Sequence, residues 1–201
     1  MKQNIVLPPL ADDQGYFRAI RDLSNNYWID VKISDNVYGY QIQPGTRWRP
    51  GLTEKELMEF EREMGFDFPV PLRNYYLTMN GLDKPGVNVY GNRGDSYAYW
   101  PIFYSFPDNL NHVRETIQWI LRDNNLTRED LPSRASRIFP YFGHRCLLID
   151  EPDNPVLSMY GNDIIYWSSS LGGALVRDIF NLLEDPGDFR PVKYWLVQSH
   201  L

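Results

Sequence analysis

The amino-acid sequence predicts an α+β fold, in which a single domain carries a twisted, mostly antiparallel sheet flanked by helices. Two helical patterns precede the first clear strand of the sheet and another follows the last hairpin, an order that does not fit alternating βαβ units. A chain of 201 residues is long enough for one core and short enough for one domain. Its content of 43% hydrophobic and 15% aromatic residues can fill that core, which argues against disorder.

Residues 1–50 are expected to form an N-terminal extension that packs on the core. Residues 12–23 favour a short amphipathic helix because their apolar side chains recur at helical spacing. The segments 27–33 and 37–42 are rich in β-branched and aromatic residues and predict a hairpin. Two Pro-Gly pairs then mark a linker that ends at residue 51.

The strongest local signals belong to a pair of helices after this linker. Thr53 is a good N-cap, and Glu56 stands three residues later, as a capping box requires. Gly65 can end this helix in a left-handed conformation. Pro71 can occupy the first turn of a second helix, which Asn80-Gly81 is expected to stop.

Residues 83–99 are rich in Gly, Asn, Asp and Tyr and predict a long, partly exposed loop. The remaining chain shows clear apolar periodicities up to residue 182, and the main domain is therefore expected to span residues 51–183 with a tail over 184–201. The expected elements are a strand over 99–104, a helix over 110–121, strands over 138–141, 146–150, 156–160 and 164–167, and a helix over 171–182.

Composition and charge exclude several classes of protein. The net charge is −6, and no basic stripe is visible, so nucleic acid is not an expected partner. An acidic surface would instead attract a basic partner. A single cysteine forbids an intrachain disulfide and fits a reducing compartment. No stretch has the apolar length of a signal peptide or a membrane span, so a soluble protein of the cytoplasm is expected.

Catalytic chemistry finds little support in the sequence. There is no HExxH, paired CxxC or EF-hand loop, and no phosphate-binding glycine motif, so neither a metal nor a cofactor is expected. His144 lies two residues before Cys146, and the pair could touch if both lay in one strand. A hydrolase that uses this pair, or paired carboxylates, is therefore one alternative; a core thiol beside a rim histidine is the other.

An aromatic-rich stretch between residues 90 and 104 offers a candidate partner-binding site. Such residues either fill a core in alternate positions or anchor a protein interface when they are exposed. On the second hypothesis, the partner-binding residues come from the long loop and from an acidic turn later in the chain. They are Asp83, Asp95, Tyr97, Tyr99, Glu151 and Asp153.

The sequence resembles the Smi/Knr-like branch of the SUKH superfamily. The resemblance is carried mainly by residues 51–81, which read GLTEKELMEFEREMGFDFPVPLRNYYLTMNG: a capped helix, a Gly and an apolar-Pro step, and a second helix ending in Asn-Gly. Weaker likenesses are Ile138-Phe139-Pro140, the strand from Cys146 to Asp150, and Tyr160-Gly161-Asn162-Asp163. The likeness covers about residues 50–183.

The resemblance implies a single α+β domain with a twisted sheet and no known catalysis. Many bacterial members of the superfamily are immunity proteins that bind and block a toxin, often a nuclease, of a polymorphic toxin system. Fungal members act in cell-wall signalling. The resemblance supplies no catalytic motif, so it favours a protein-binding module whose partner is a cognate toxin, with a housekeeping scaffold as an alternative.

Overall fold

The computed structural model describes residues 6–90, 97–182 and 191–196, and these contain five α-helices and eight strands. The helices are α1 (Gln14–Tyr27), α2 (Glu54–Met64), α3 (Val70–Thr78), α4 (Leu110–Asp123) and α5 (Leu171–Phe180). The strands are β1 (Trp48–Pro50), β2 (Met79–Leu82), β3 (Gly86–Asn88), β4 (Ala98–Trp100), β5 (Ile138–Phe142), β6 (Arg145–Leu148), β7 (Val156–Tyr160) and β8 (Asp163–Ser168). A single 3-10 turn covers Arg128–Asp130.

The largest sheet confirms the predicted α+β class. Its strands lie in the order β5-β6-β7-β8, and every neighbouring pair is antiparallel. One row across the sheet joins Pro140, Cys146, Leu157 and Tyr166. Two small antiparallel pairs, β1-β2 and β3-β4, complete the described strands.

Aromatic side chains join the helices to this sheet. Phe139 contacts the rings of Phe60, Phe68 and Tyr76 from α2, α3 and the segment between them, at centroid distances of 5.0 to 5.9 Å. Tyr141 faces the same helices, because its ring contacts that of Tyr75 in α3 at a centroid distance of 6.4 Å. This face of the sheet is covered by the first helices of the main domain.

Helix α2 begins and ends where the sequence predicts. The Thr53 side chain accepts from the N–H of Glu56, and the Glu56 carboxylate accepts from the N–H of Thr53 at 2.8 Å, so the capping box is complete. Gly65 ends the helix with a φ of 82°, a conformation that costs glycine little. The two predicted helices of this region are both confirmed, although α3 ends at Thr78 and Asn80-Gly81 lies in β2.

The hairpin expected over residues 27–42 is wrong. Helix α1 continues to Tyr27, and Trp28, its C-cap, is buried. The rest of the segment pairs at a single isolated bridge, Gln41 with Val87, and the Gln41 side chain bonds to the N–H and carbonyl of Ser34 at 2.8 Å. The aromatic and β-branched residues that indicated strands divide between Trp28, which is buried, and exposed side chains such as Ile29, Val37 and Tyr38, so their strand propensity is not realised.

The expected long loop over residues 83–99 also differs from the structure. It contains strands β3 and β4, which pair in register from Gly86 with Trp100 to Asn88 with Ala98. Each of these strands has only three residues, which is too short for an alternating apolar pattern to predict a strand from the sequence.

The N-terminal residues share the core of the remaining chain. Strand β1 pairs with β2, and α1 packs against α3 and α5. At the start of α5, the N–H of Gly172 donates to the Asp12 carboxylate at 2.6 Å. A Cβ at Gly172 would lie 2.5 Å from the carbonyl oxygen of Ala11, so this glycine permits the close approach of the segment before α1 rather than of the sheet.

Candidate partner-binding surface

Three backbone segments lie side by side at one end of the molecule. Gln41 and Val87 exchange two backbone hydrogen bonds, of 2.8 and 2.9 Å, and Val87 pairs on its other side with Tyr99 of β4. Val87 itself is buried. Because alternate residues of a strand point to opposite faces, this small ladder can bury one face and expose the other.

Exposed aromatic side chains cluster along this ladder and at its ends, and we call this group of residues the aromatic surface. All of its members are at least 39% exposed, and Tyr38, the most exposed, reaches 82%. They come from the segment before Gln41, from the chain just after β3, and from β4 with the residue before it. They are Tyr38, Tyr40, Tyr90, Tyr97, Tyr99 and Trp100.

Ring contacts hold part of the aromatic surface in place. The rings of Tyr38 and Tyr90 stack with centroids 4.0 Å apart and an interplanar angle of 9°. The Trp100 ring meets His112 of α4 edge-on at 4.8 Å. Rigid aromatic side chains lose little conformational entropy when a partner covers them, which is why Tyr and Trp dominate binding hot spots.

The two interpretations of the aromatic stretch apply to different residues in it. Tyr97, Tyr99 and Trp100 are exposed, whereas Phe103 and Tyr104 are each only 2% exposed. Pro101 lies between the two groups. The structure therefore divides the stretch into an exposed half and a core half.

Asp83 lies next to the aromatic surface. Its carboxylate accepts from the N–H of Arg47 at 2.8 Å, and its own N–H donates to the Arg47 carbonyl at 3.0 Å. The side chain is exposed, and it lines a cleft of about 240 Å³ together with Pro101 and His112. Because the Trp100 ring contacts the same His112, Asp83 lies near that member of the aromatic surface.

Glu151 and Asp153 lie elsewhere. Both belong to the turn between β6 and β7, which adjoins the Ile138 end of β5, where Ile138 pairs with Leu148. The other end of β5 reaches the aromatic side, because Phe142 bridges to Phe103. The β5-β6 pair therefore separates the acidic turn from the aromatic surface. Asp95, the remaining candidate, lies outside the described residues.

Sequence reasoning missed Tyr38 and Tyr40 as members of the surface. Both fall in the predicted hairpin, which does not form. The alternation of Tyr38, Tyr40 and Ile42 with Gly39 and Gln41 favours a strand, so the sequence carries no separate signal that these tyrosines are exposed.

A buried polar cluster lies between the large sheet and α5. The Asp178 carboxylate accepts from the Tyr141 hydroxyl at 2.6 Å and from Trp167 Nε1 at 3.0 Å. Its side chain is only 2% exposed, and this burial raises the pKa of Asp178 to about 6 despite those hydrogen bonds and the nearby arginines. The Arg145 Nε lies 3.5 Å from the same carboxylate.

Two arginines enclose the Trp167 ring of this cluster. The guanidinium carbons of Arg145 and Arg177 lie 3.6 and 3.5 Å from the ring centroid, so each guanidinium covers one face. The cluster joins β5, β6 and β8 to α5. Because its carboxylate has almost no contact with solvent, its evident role is to position α5 on the sheet.

His144 and Cys146 do not form a catalytic pair in the structure. The Cys146 thiol donates to the backbone carbonyl of His144 at 3.8 Å, and burial raises the pKa of the thiol well above its usual value. The His144 ring instead contacts Arg145 and Tyr160. Burial and the Arg145 charge lower the pKa of His144 to about 4.

The described residues offer neither a metal centre nor a membrane-spanning helix. They contain no group of three His, Cys, Asp or Glu side chains placed to hold a metal ion. Among the helices in those ranges, none combines the length and the apolar character that crossing a membrane requires.

Fold and surface together define a small α+β domain with a polar cluster in its interior and an exposed aromatic surface at one end. The model of the SMI1/KNR4 family (SUKH-1) matches residues 51–186. The chain belongs to this family, and the matched range begins at the glycine before the capped helix α2. A search of curated proteins found no match.

Proposed function

We propose that this protein is a non-catalytic binding module, an immunity protein that binds and neutralises a cognate toxin domain, with a nuclease as the first candidate for that domain. Membership of the SMI1/KNR4 family is compatible with that role. The observation that carries the proposal is the aromatic surface, because a large exposed group of Tyr and Trp is unusual on a protein without a partner.

The proposed interface combines the aromatic surface with Asp83. Exposed rings supply apolar contact area, and an exposed carboxylate at the edge can pair with a basic side chain of the toxin. The net charge of −6 would favour the approach of a basic domain. Glu151 and Asp153 follow the opposite end of the β5-β6 pair, so we assign them to a separate candidate contact area.

Co-expression with the product of the neighbouring gene tests the proposal. If that product is a toxin, the wild-type protein should restore growth and co-purify with it. The double variant Tyr38→Ser/Tyr99→Ser should lose both effects, since the two changes remove the most exposed rings of the surface.

Tyr160→Ser is the matched control, because Tyr160 is a tyrosine of similar exposure, at 65%, on the large sheet. It should rescue growth as the wild type does. Full rescue by the double variant would refute the proposed interface, and a neighbouring product that is harmless alone would refute the immunity role.

A housekeeping scaffold that binds a non-toxin partner could use the same surface, and the growth assay separates the two functions. The hydrolase alternative finds less support. Burial disfavours the Cys146 thiolate, and the His144 ring contacts Arg145 rather than a nucleophile.

A further inference from the structure

A second concave site lies away from the aromatic surface. It is a cleft of about 220 Å³ between the end of α2, the middle of α4, the turn at 128–132 and the start of β5. This volume is below the roughly 300–1,000 Å³ of sites for drug-sized ligands and fits a single side chain with a short stretch of backbone. The cleft opens at the Ile138 end of β5, whereas the aromatic surface lies near Phe142, so the inference does not rest on the proposed function.

The cleft combines an apolar floor with a charged rim. The floor is made by partly or fully buried apolar side chains from several elements. They are Met64, Phe66, Ile117, Leu131 and Ile138, with Pro132 at the edge. The rim carries Arg114, Arg128 and Arg137 against one acid, Glu63.

Internal partners hold two of the three arginines. Arg114 donates to the carboxylate of Glu63 at 2.9 Å and to its backbone carbonyl at 2.6 Å, which neutralises the only acid of the lining. Arg137 makes a two-pronged ion pair with Asp150 and lies over the Phe66 ring at 5.1 Å. These contacts fix both guanidiniums before any ligand arrives.

Arg128 is different. Its side chain is exposed at the mouth of the cleft, and it has neither a hydrogen bond nor an ion pair with any described residue. An arginine presents five N–H donors in a planar fork that matches a carboxylate. The cleft thus offers a guanidinium without a hydrogen-bond partner among the described residues beside an apolar floor. Its charge acts on the neighbouring Glu129, whose pKa is lowered first by a hydrogen bond with Thr127 and to a smaller extent by Arg128.

We propose that this cleft binds a short acidic peptide segment of a partner protein, with a large apolar side chain on the floor and a neighbouring carboxylate on Arg128. The apolar side chain gains by leaving water. The carboxylate supplies direction, because only a charged acceptor uses the Arg128 fork in both of its prongs.

An NMR titration of the ¹⁵N-labelled full-length protein tests this directly. The probe is N-acetyl-Asp-Phe-Glu-amide, and its isosteric control is N-acetyl-Asn-Phe-Gln-amide. The acidic peptide should shift the amides that line the cleft, and the neutral peptide should bind at least about twofold more weakly, as the loss of an exposed ion pair implies. Equal affinity of the two peptides, or shifts elsewhere on the surface only, would overturn the proposal.

Two further arms distinguish a peptide site from a simple anion site. Arg128→Gln should weaken binding of the acidic peptide by about two- to fivefold. The control, Arg18→Gln, makes the same change at an exposed position of α1 and should leave the affinity unchanged. Inorganic phosphate should not reproduce the peptide's shifts at Ile117 and Ile138. If phosphate reproduces them with the same affinity, the cleft binds anions alone and the apolar part of the inference fails.

Discussion

At the scale of single residues, Asp178 is a carboxylate whose buried environment raises its pKa to about 6. It lies in α5, and its hydrogen-bond partners come from β5 and β8. The residues around it carry no sign of this role, because a carboxylate on an otherwise apolar helix looks the same in sequence whether it faces water or a sheet. Only the packing of α5 on the sheet creates the cluster.

The raised pKa of Asp178 makes a prediction about stability. The folded protein binds this proton with a pKa of about 6, whereas an unfolded aspartate titrates near 3.8. Protonation of Asp178 therefore stabilises the folded protein. This stabilisation is complete below about pH 4 and is lost as the pH rises through about 6. Asp178→Asn cannot ionise, so the wild type should lose about 2 kcal/mol of unfolding free energy relative to the variant between pH 4 and pH 7.

Urea denaturation of both proteins across this pH range measures the difference. The amide can keep its oxygen towards Trp167 Nε1 and donate to the Tyr141 hydroxyl, so the variant should fold. The lowered pKa of His144 makes the free energy of unfolding rise with pH. This effect is the same in both proteins, so it cancels when the two are compared. A difference in unfolding free energy that stays constant with pH would contradict the assignment.

At the scale of elements, local chemistry accounts for those parts of the fold that the sequence predicts. The capping box places the start of α2, and Gly161-Asn162 joins β7 to β8 within a two-residue turn. The prediction for segment 27–42 is wrong because the structure of this segment depends on Val87, more than forty residues away in the sequence. Short-range patterns carry no information on such a partner.

The capping box of α2 predicts a measurable loss. Thr53→Ala removes the oxygen that accepts from the Glu56 N–H, and it should lower the free energy of unfolding by about 1 kcal/mol. Thr53→Ser retains the hydroxyl and serves as the control in the same denaturation experiment. Equal stability of the two variants would show that the cap does not stabilise the fold.

At the scale of the whole molecule, two stretches of chain that are distant in sequence, residues 38–40 and 90–100, supply the aromatic surface. Tyr97 and Tyr99 can be named from sequence because they stand in one aromatic cluster. Tyr38 joins them only because the bridge from Gln41 to Val87 brings its segment beside β3. The acidic turn at Glu151 and Asp153, by contrast, is carried away from the surface by the β5-β6 pair, a separation that follows from topology and not from composition.

Calorimetric titration of the co-purified partner into single variants tests the central claim most directly. Tyr99→Ser should weaken binding by about 10- to 100-fold, the effect of removing a hot-spot ring, because Tyr99 is a highly exposed ring at the middle of β4. Tyr160→Ser should stay within about twofold of the wild type, as expected of an exposed residue outside the interface. Wild-type affinity of Tyr99→Ser, or an equal loss in Tyr160→Ser, would contradict the assignment of the aromatic surface as the binding site.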